Sequence, residues 1–183
     1  MRREDFEHVV RAAADAVGLD EFVIIGSQAI LAEVPEPPAR MVESMEVDLY
    51  PRADPARVDA VDGVLGDGSL FAQTNGYYAH GVAPGTAKAP AGWMDRLVRV
   101  EIPSVVLGEN VVAHCMERHD MVLAKLVRGG ERDVDYAKAA LAAGLLEPGV
   151  LLARVPDLPV DEAIRRRVDK TVRALVGTEW PRD

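Results

Sequence analysis

Glu46 and Asp48 are separated by one apolar residue in the run Ser44-Met45-Glu46-Val47-Asp48-Leu49-Tyr50. On an extended strand, residues two apart point to the same face. The two carboxylates therefore project together, while Val47 and Leu49 project the other way. Neighbouring carboxylates repel unless a cation lies between them, so the chemistry this pair offers is divalent-metal binding through oxygen donors. The same alternation also describes a solvated strand face, and what surrounds the pair has to decide. Upstream, Phe22-Val23-Ile24-Ile25 is a continuous apolar run that stops at Gly26-Ser27. Such a run suits a strand buried on both faces, and Ser27 can cap a helix over Gln28 to Glu33.

Further along, Lys125 falls away from the Val122-Leu126-Val127 stripe of its segment, where a lone lysine is ordinarily solvated. Asp133 and Asp135 are separated by one residue, which puts them about 200° apart around a helix, so one of them at most faces a shared site. Glu101 alternates with Arg99 on a half-exposed strand and is the candidate for a third metal carboxylate, or simply an exposed acid. His80, after two tyrosines, reads as an ordinary strand residue or as a contact to base or phosphate. His114, Cys115 and His119 straddle a strand-to-helix junction without a second close pair, which argues against structural zinc; Cys115 reads as a small buried hydrophobe. Arg165 to Arg167 form a basic run, either a solvated face or a contact to RNA phosphate. There is no P-loop, no Gly-x-Gly-x-x-Gly and no Gly-x-Ser-x-Gly elbow.

The elements that must position these groups are legible from periodicity. Phe6, Val9, Val10, Ala13 and Val17 make one face of a helix over 5–17, stopped by Gly18. Strands are expected over 22–25, 45–50, 77–82, 97–102 and 111–115. Pro35, Pro37 and Pro38 make a stiff connector, and Asp54-Pro55 opens a helix to about Leu65. From Glu117 onward the pattern is helical: 117–127, 131–143, 149–154 and 160–176. Strands dominate the first two-thirds and helices the last third, an α+β layout with a C-terminal helical cluster. The expected division is a core over 1–116 and a helical region over 117–183 packed on it as one compact unit.

The chain has 183 residues, 49% of them hydrophobic but only 5% aromatic, so the core must be built of Val, Leu, Ile and Ala. The formal net charge of -9 argues against a generic nucleic-acid-coating protein but leaves room for a local basic patch or a small anionic substrate held through metal. A single cysteine excludes an internal disulfide and points to the cytoplasm. No apolar run approaches the roughly 18 residues of a membrane span, so no membrane partner is expected.

Strand, Gly26-Ser27, helix, then Ser44-x-Glu46-x-Asp48 on the next strand resembles the DNA polymerase beta-like nucleotidyltransferase superfamily. His119-Asp120 … Lys125, followed by Arg132-Asp133-Val134-Asp135, resembles the tail of its abortive-infection toxin branch. Within that branch the chain is similar to small bacterial nucleotidyltransferase-like proteins, a likeness that includes Gly76 to Gly81 and Gly92 to Leu97. The resemblance implies a mixed β-sheet flanked by helices. It implies that Gly26 and Ser27 bind the triphosphate, the glycine by letting backbone approach and the helix start by offering amide donors. It implies that Glu46 and Asp48 hold Mg2+, and that Asp48, Lys125 and Asp133 or Asp135 are active-site residues. The chain departs from the pattern in three ways: Glu46 stands where aspartate is usual, the stretch from Gly26 to Glu46 is long, and Asp133 and Asp135 are separated by one residue instead of two.

The expected function is transfer of a nucleoside monophosphate from a nucleoside triphosphate to a hydroxyl of RNA such as tRNA, of protein or of a small molecule. A toxin–antitoxin component with a cognate partner is its sharpest form. The alternatives are a catalytically degenerate binding or interaction module, favoured by Glu46, and a metal-dependent phosphate-ester hydrolase using the same acids.

Overall fold

The computed structural model describes residues 1–106 and 108–179, the last two of these by backbone alone. A five-stranded mixed sheet lies at its centre, flanked by helices and followed by a helical C-terminal part. The first helix, α1 (Arg3–Val17), buries Phe6, Val9, Val10, Ala13 and Val17, the stripe expected from the sequence. Asp5 accepts from the Arg2 amide at 2.8 Å at its start. Gly18, left-handed at φ 64°, closes it by donating to the Ala14 carbonyl at 2.8 Å.

The strands are β1 (Glu21–Ile25), β2 (Glu46–Pro51), β3 (Tyr78–Gly81), β4 (Val98–Pro103) and β5 (Asn110–Cys115), in spatial order β3-β2-β1-β5-β4. β1 is central, antiparallel to β2 and parallel to β5, and Phe22 to Ile25 are buried as their continuous apolar run requires. β3 runs parallel to β2 at one edge; β4 runs antiparallel to β5 at the other. On β4, Val100 and Ile102 are buried while Arg99 and Glu101 are exposed, the alternation its sequence predicts. Cys115 is fully buried, its thiol pushed up to about 12 by loss of solvent.

Two local expectations are corrected, and one helix is added. The helix expected over 28–33 is a six-residue 3-10 segment, Ser27–Ala32. Val34 donates to the Ile30 carbonyl at 2.9 Å, and the next donor in an α-helical series would be Pro35, which has none. The helix expected from Asp54 begins as a 3-10 turn, Pro55–Arg57, before α2 (Val58–Leu65). A further short helix, α3 (Leu70–Asn75), is capped by the Ser69 hydroxyl and stopped by left-handed Gly76.

The C-terminal helices are α4 (Arg118–Arg128), α5 (Glu131–Ala142), α6 (Pro148–Arg154) and α7 (Glu162–Glu179). α4 is the hub: it packs on the 3-10 segment after β1 and also touches α5, α6 and α7. That brings residues from far along the chain to the end of β1. No helix among the described residues is long and apolar enough to cross a membrane.

Candidate functional site

β1 delivers the chain to the site. Its last residue, Ile25, lies level with Asp48 on β2. Gly26 then takes φ 72°, and a Cβ there would overlap Asp48 Oδ2. Glycine is needed twice over: for the left-handed turn and to let the carboxylate lie against the main chain.

β2 and β3 pair so that Glu46 is level with Tyr78, and Asp48 with His80. All four side chains share one face, while Val47, Leu49 and Ala79 are buried on the other. Tyr78 Oη donates to Glu46 Oε2 at 3.1 Å, and His80 Nδ1 lies 2.8 Å from Asp48 Oδ1. One donor atom from each of Glu46, Asp48 and His80 falls within 4.8 Å of the others. Donors held about 2–2.5 Å from one hard divalent cation span a similar distance, so the residues present fit such an ion.

α4 and α5 provide the second wall. Lys125 is only 8% exposed, because the 3-10 segment and α5 cover the flank of α4 that carries it. Its Nζ donates to Ser27 Oγ at 2.8 Å, stands 3.9 Å from Asp133 Oδ1 and lies 4.7 Å from the centre of the Tyr136 ring. Tyr136 Oη donates to the Ser27 carbonyl at 3.2 Å, tying α5 to the same turn. Asp133 is buried and held by Arg128, whose Nε and Nη2 donate at 2.9 and 2.5 Å, and by the Gly130 amide at 3.1 Å. Between the walls is a cleft of about 410 Å³. Gly26, Glu46, Asp48 and His80 line its strand side, and Lys125 and Arg128 line its helix side.

The charges perturb one another. Burial raises Asp48 above the usual carboxylate range, with the Glu46 charge adding to the shift and His80 opposing it. Burial alone would lower His80, but hydrogen bonding to Asp48 and its charge outweigh that and hold the imidazole above its ordinary value. Burial lowers the Lys125 ammonium, helped by the neighbouring Arg128 charge; Asp133, Asp48 and Glu46 pull the other way. Burial would raise Asp133, yet its hydrogen bonds and charge contact with Arg128 bring it below the usual carboxylate range. Asp133 is thus an ionised counter-charge behind the two cations.

Gly26, Ser27, Glu46, Asp48 and Lys125 therefore meet in one cleft, with Asp133 directly behind Lys125. Asp135 does not join them. It is ion-paired with Arg40 at 2.7 Å and with Lys138 at 3.7 Å, which follows from the 200° that separates it from Asp133. Glu101 does not join them either: it sits on the far edge strand, level with Val112, and bonds to Arg99 and Asn110. His80 stands beside the pair instead. The sequence carried a signal for it, the shared alternation of Tyr78 and His80, but not the pairing of β3 with β2.

Other charged motifs are occupied elsewhere. Asp120 is fully buried between Arg96 Nε at 2.7 Å and Arg154 Nη1 at 3.0 Å. His119 bonds to Glu117 and accepts from the Glu147 amide, while His114 bonds to Glu21 and Arg52, so neither shares a ligand sphere with Cys115. In the basic run, Arg165 and Arg166 pair with Glu162, and Arg167 donates to the Val127 carbonyl at the end of α4.

A family model described as a nucleotidyltransferase of unknown function (DUF6036) matches residues 4–180. No curated protein and no solved structure matches the chain.

Proposed function

We propose that this chain, which belongs to the family of nucleotidyltransferases of unknown function, uses the cleft between β2 and α4 to transfer a nucleoside monophosphate from a nucleoside triphosphate to a hydroxyl acceptor. Nucleotidyltransferase activity in the general sense follows from the family, and with it a nucleoside triphosphate as substrate. The observation that carries the finer reading is the opposition of two walls: paired carboxylates on the strands, cations on α4, and the Gly26-Ser27 turn between them.

In this reading residues 1–116 and 117–183 act as the two halves of one site. The Ser27 hydroxyl and the Lys125 ammonium bind phosphate oxygens, a charge-assisted contact. Because Lys125 is tied to Ser27 and braced by Asp133, it meets the phosphate in a fixed position. Glu46 and Asp48 hold a divalent cation, magnesium in the form the resemblance implies. Such an ion, when bound, neutralises phosphate charge and makes an acceptor hydroxyl more acidic. Asp48 takes the acceptor's proton as the acceptor oxygen bonds to the α-phosphorus; the bond from that phosphorus to the bridging oxygen breaks, and pyrophosphate leaves. Arg128 lines the same wall and offsets charge on the departing group. The acceptor is a hydroxyl of RNA, of protein or of a small molecule; tRNA in a toxin–antitoxin setting is the form the resemblance implies.

Thermal shift with each nucleoside triphosphate, with and without divalent cation, tests binding, and labelled triphosphate with total RNA tests transfer. Asp48→Ala should abolish transfer, and transfer that survives it would sink the assigned role. A second reading, a nucleotide-binding module without turnover, is favoured by Glu46 in the leading position and by a histidine where a third acid is expected. Cation-dependent binding with no transfer to any acceptor class would support it.

A further inference from the structure

We propose that His80 is a third ligand of the cation held by Glu46 and Asp48, and that its imidazole gives the site a preference for one first-row transition cation over magnesium. The inference rests on the nucleotidyltransferase reading of the same cleft. Three observations carry it. The β2–β3 register sets His80 level with Asp48 and on the same face. His80 Nδ1 stands 2.8 Å from Asp48 Oδ1, close to the roughly 3 Å between adjacent ligands of an octahedral ion with bonds near 2.1 Å. His80 is itself exposed at the cleft, so its ring can turn toward an ion without disturbing the core.

The donor set then decides the ion. Magnesium favours oxygen donors and gives up water reluctantly, whereas imidazole nitrogen suits Zn, Cu, Fe and Ni; Mn2+ shares magnesium's liking for carboxylates but belongs to the same first-row series. Two carboxylates and one imidazole on a single face are a mixed set that Mn2+ accepts more readily than Mg2+. Tyr78, bonded to Glu46 Oε2, orients that carboxylate from behind.

The test is Mn2+ binding to the full chain, followed by electron paramagnetic resonance with Mg2+ as competitor. The expected result is Mn2+ binding with nitrogen hyperfine modulation from a directly bound imidazole, and Mg2+ competing only in excess. His80→Ala should remove the nitrogen modulation and weaken Mn2+ by roughly tenfold or more, and His80→Asp should shift the preference back toward Mg2+. Circular dichroism melting of both variants verifies folding. Mn2+ bound without nitrogen modulation, or an unchanged Mn2+/Mg2+ ratio in both variants, overturns the role of His80 and leaves the cleft as a cation site. Failure of both ions to bind, with or without triphosphate, overturns the cation site itself and the inference with it.

Discussion

Helix α4 carries Asp120 and Lys125 five positions apart, and each belongs to a cluster of acids and bases. In the first cluster Asp120 receives Arg96 through both of its oxygens and Arg154 as well. Glu117 beside it accepts from the His119 and Asp120 amides, the His119 ring and Arg154. Burial would raise Glu117, but the His119 and Arg154 bonds outweigh it and bring the carboxyl down to about 2. In the second cluster, among the described residues, Glu46 receives one hydrogen bond, from Tyr78, and Asp48 one, with His80. There burial prevails and Asp48 rises. The ingredients are alike; saturation differs. Acids that accept three or four hydrogen bonds each hold α4, α6 and the segment bearing Arg96 together, whereas acids that accept one each face an open cleft with lone pairs to spare.

That contrast can be broken by mutation. Asp120→Ala strands two arginines around a fully buried position and should cost about 3 kcal/mol in urea unfolding; a loss below about 1 kcal/mol would mean the clasp is not structural. Glu117→Gln should cost about 2 kcal/mol near neutral pH. The sign follows from a folded-state value below the ordinary one: the stabilisation is present above pH 4.5 and disappears as pH falls from 4.5 toward about 2. The variant's acid limb should therefore be flatter than wild type over that window, and parallel limbs would refute the assignment. Asp48→Asn should do the opposite to stability. Because its folded value is raised, the carboxylate's penalty sets in above pH 3.8, and the variant should match or exceed wild type by up to about 1 kcal/mol at neutral pH. A substantial loss there would place Asp48 with the structural acids. Asp135→Ala, which removes a surface pair with Arg40, should change stability by less than about 0.5 kcal/mol and leave triphosphate binding unchanged.

How much of this was readable in the chain depended on the range of the interactions involved. Strand β4 and helix α1 announce themselves because their periodicity is local and one-sided. The 3-10 segment after Gly26 does not, since its Ser start and apolar run match those of an α-helix and only the proline connector limits its length. Lys125 looked solvated because the stripe on α4 predicts contacts with one side only, while the 3-10 segment and α5 cover another flank. Glu101 and His80 show the cost of not knowing strand order. Both alternate correctly, but β4 pairs at one edge of the sheet and β3 at the other beside Asp48, a choice made by long-range packing.

The close approach of Asp48 to Gly26 has a historical consequence. The two positions constrain each other unequally. While residue 48 carries its acid, any side chain at 26 collides with it. If Asp48 were lost first, the collision would vanish, but the φ of 72° at Gly26 would still disfavour every other residue. The glycine thus outlasts the acid that requires it. A lineage that abandoned the chemistry would keep its glycine at position 26 longer than its acid at position 48.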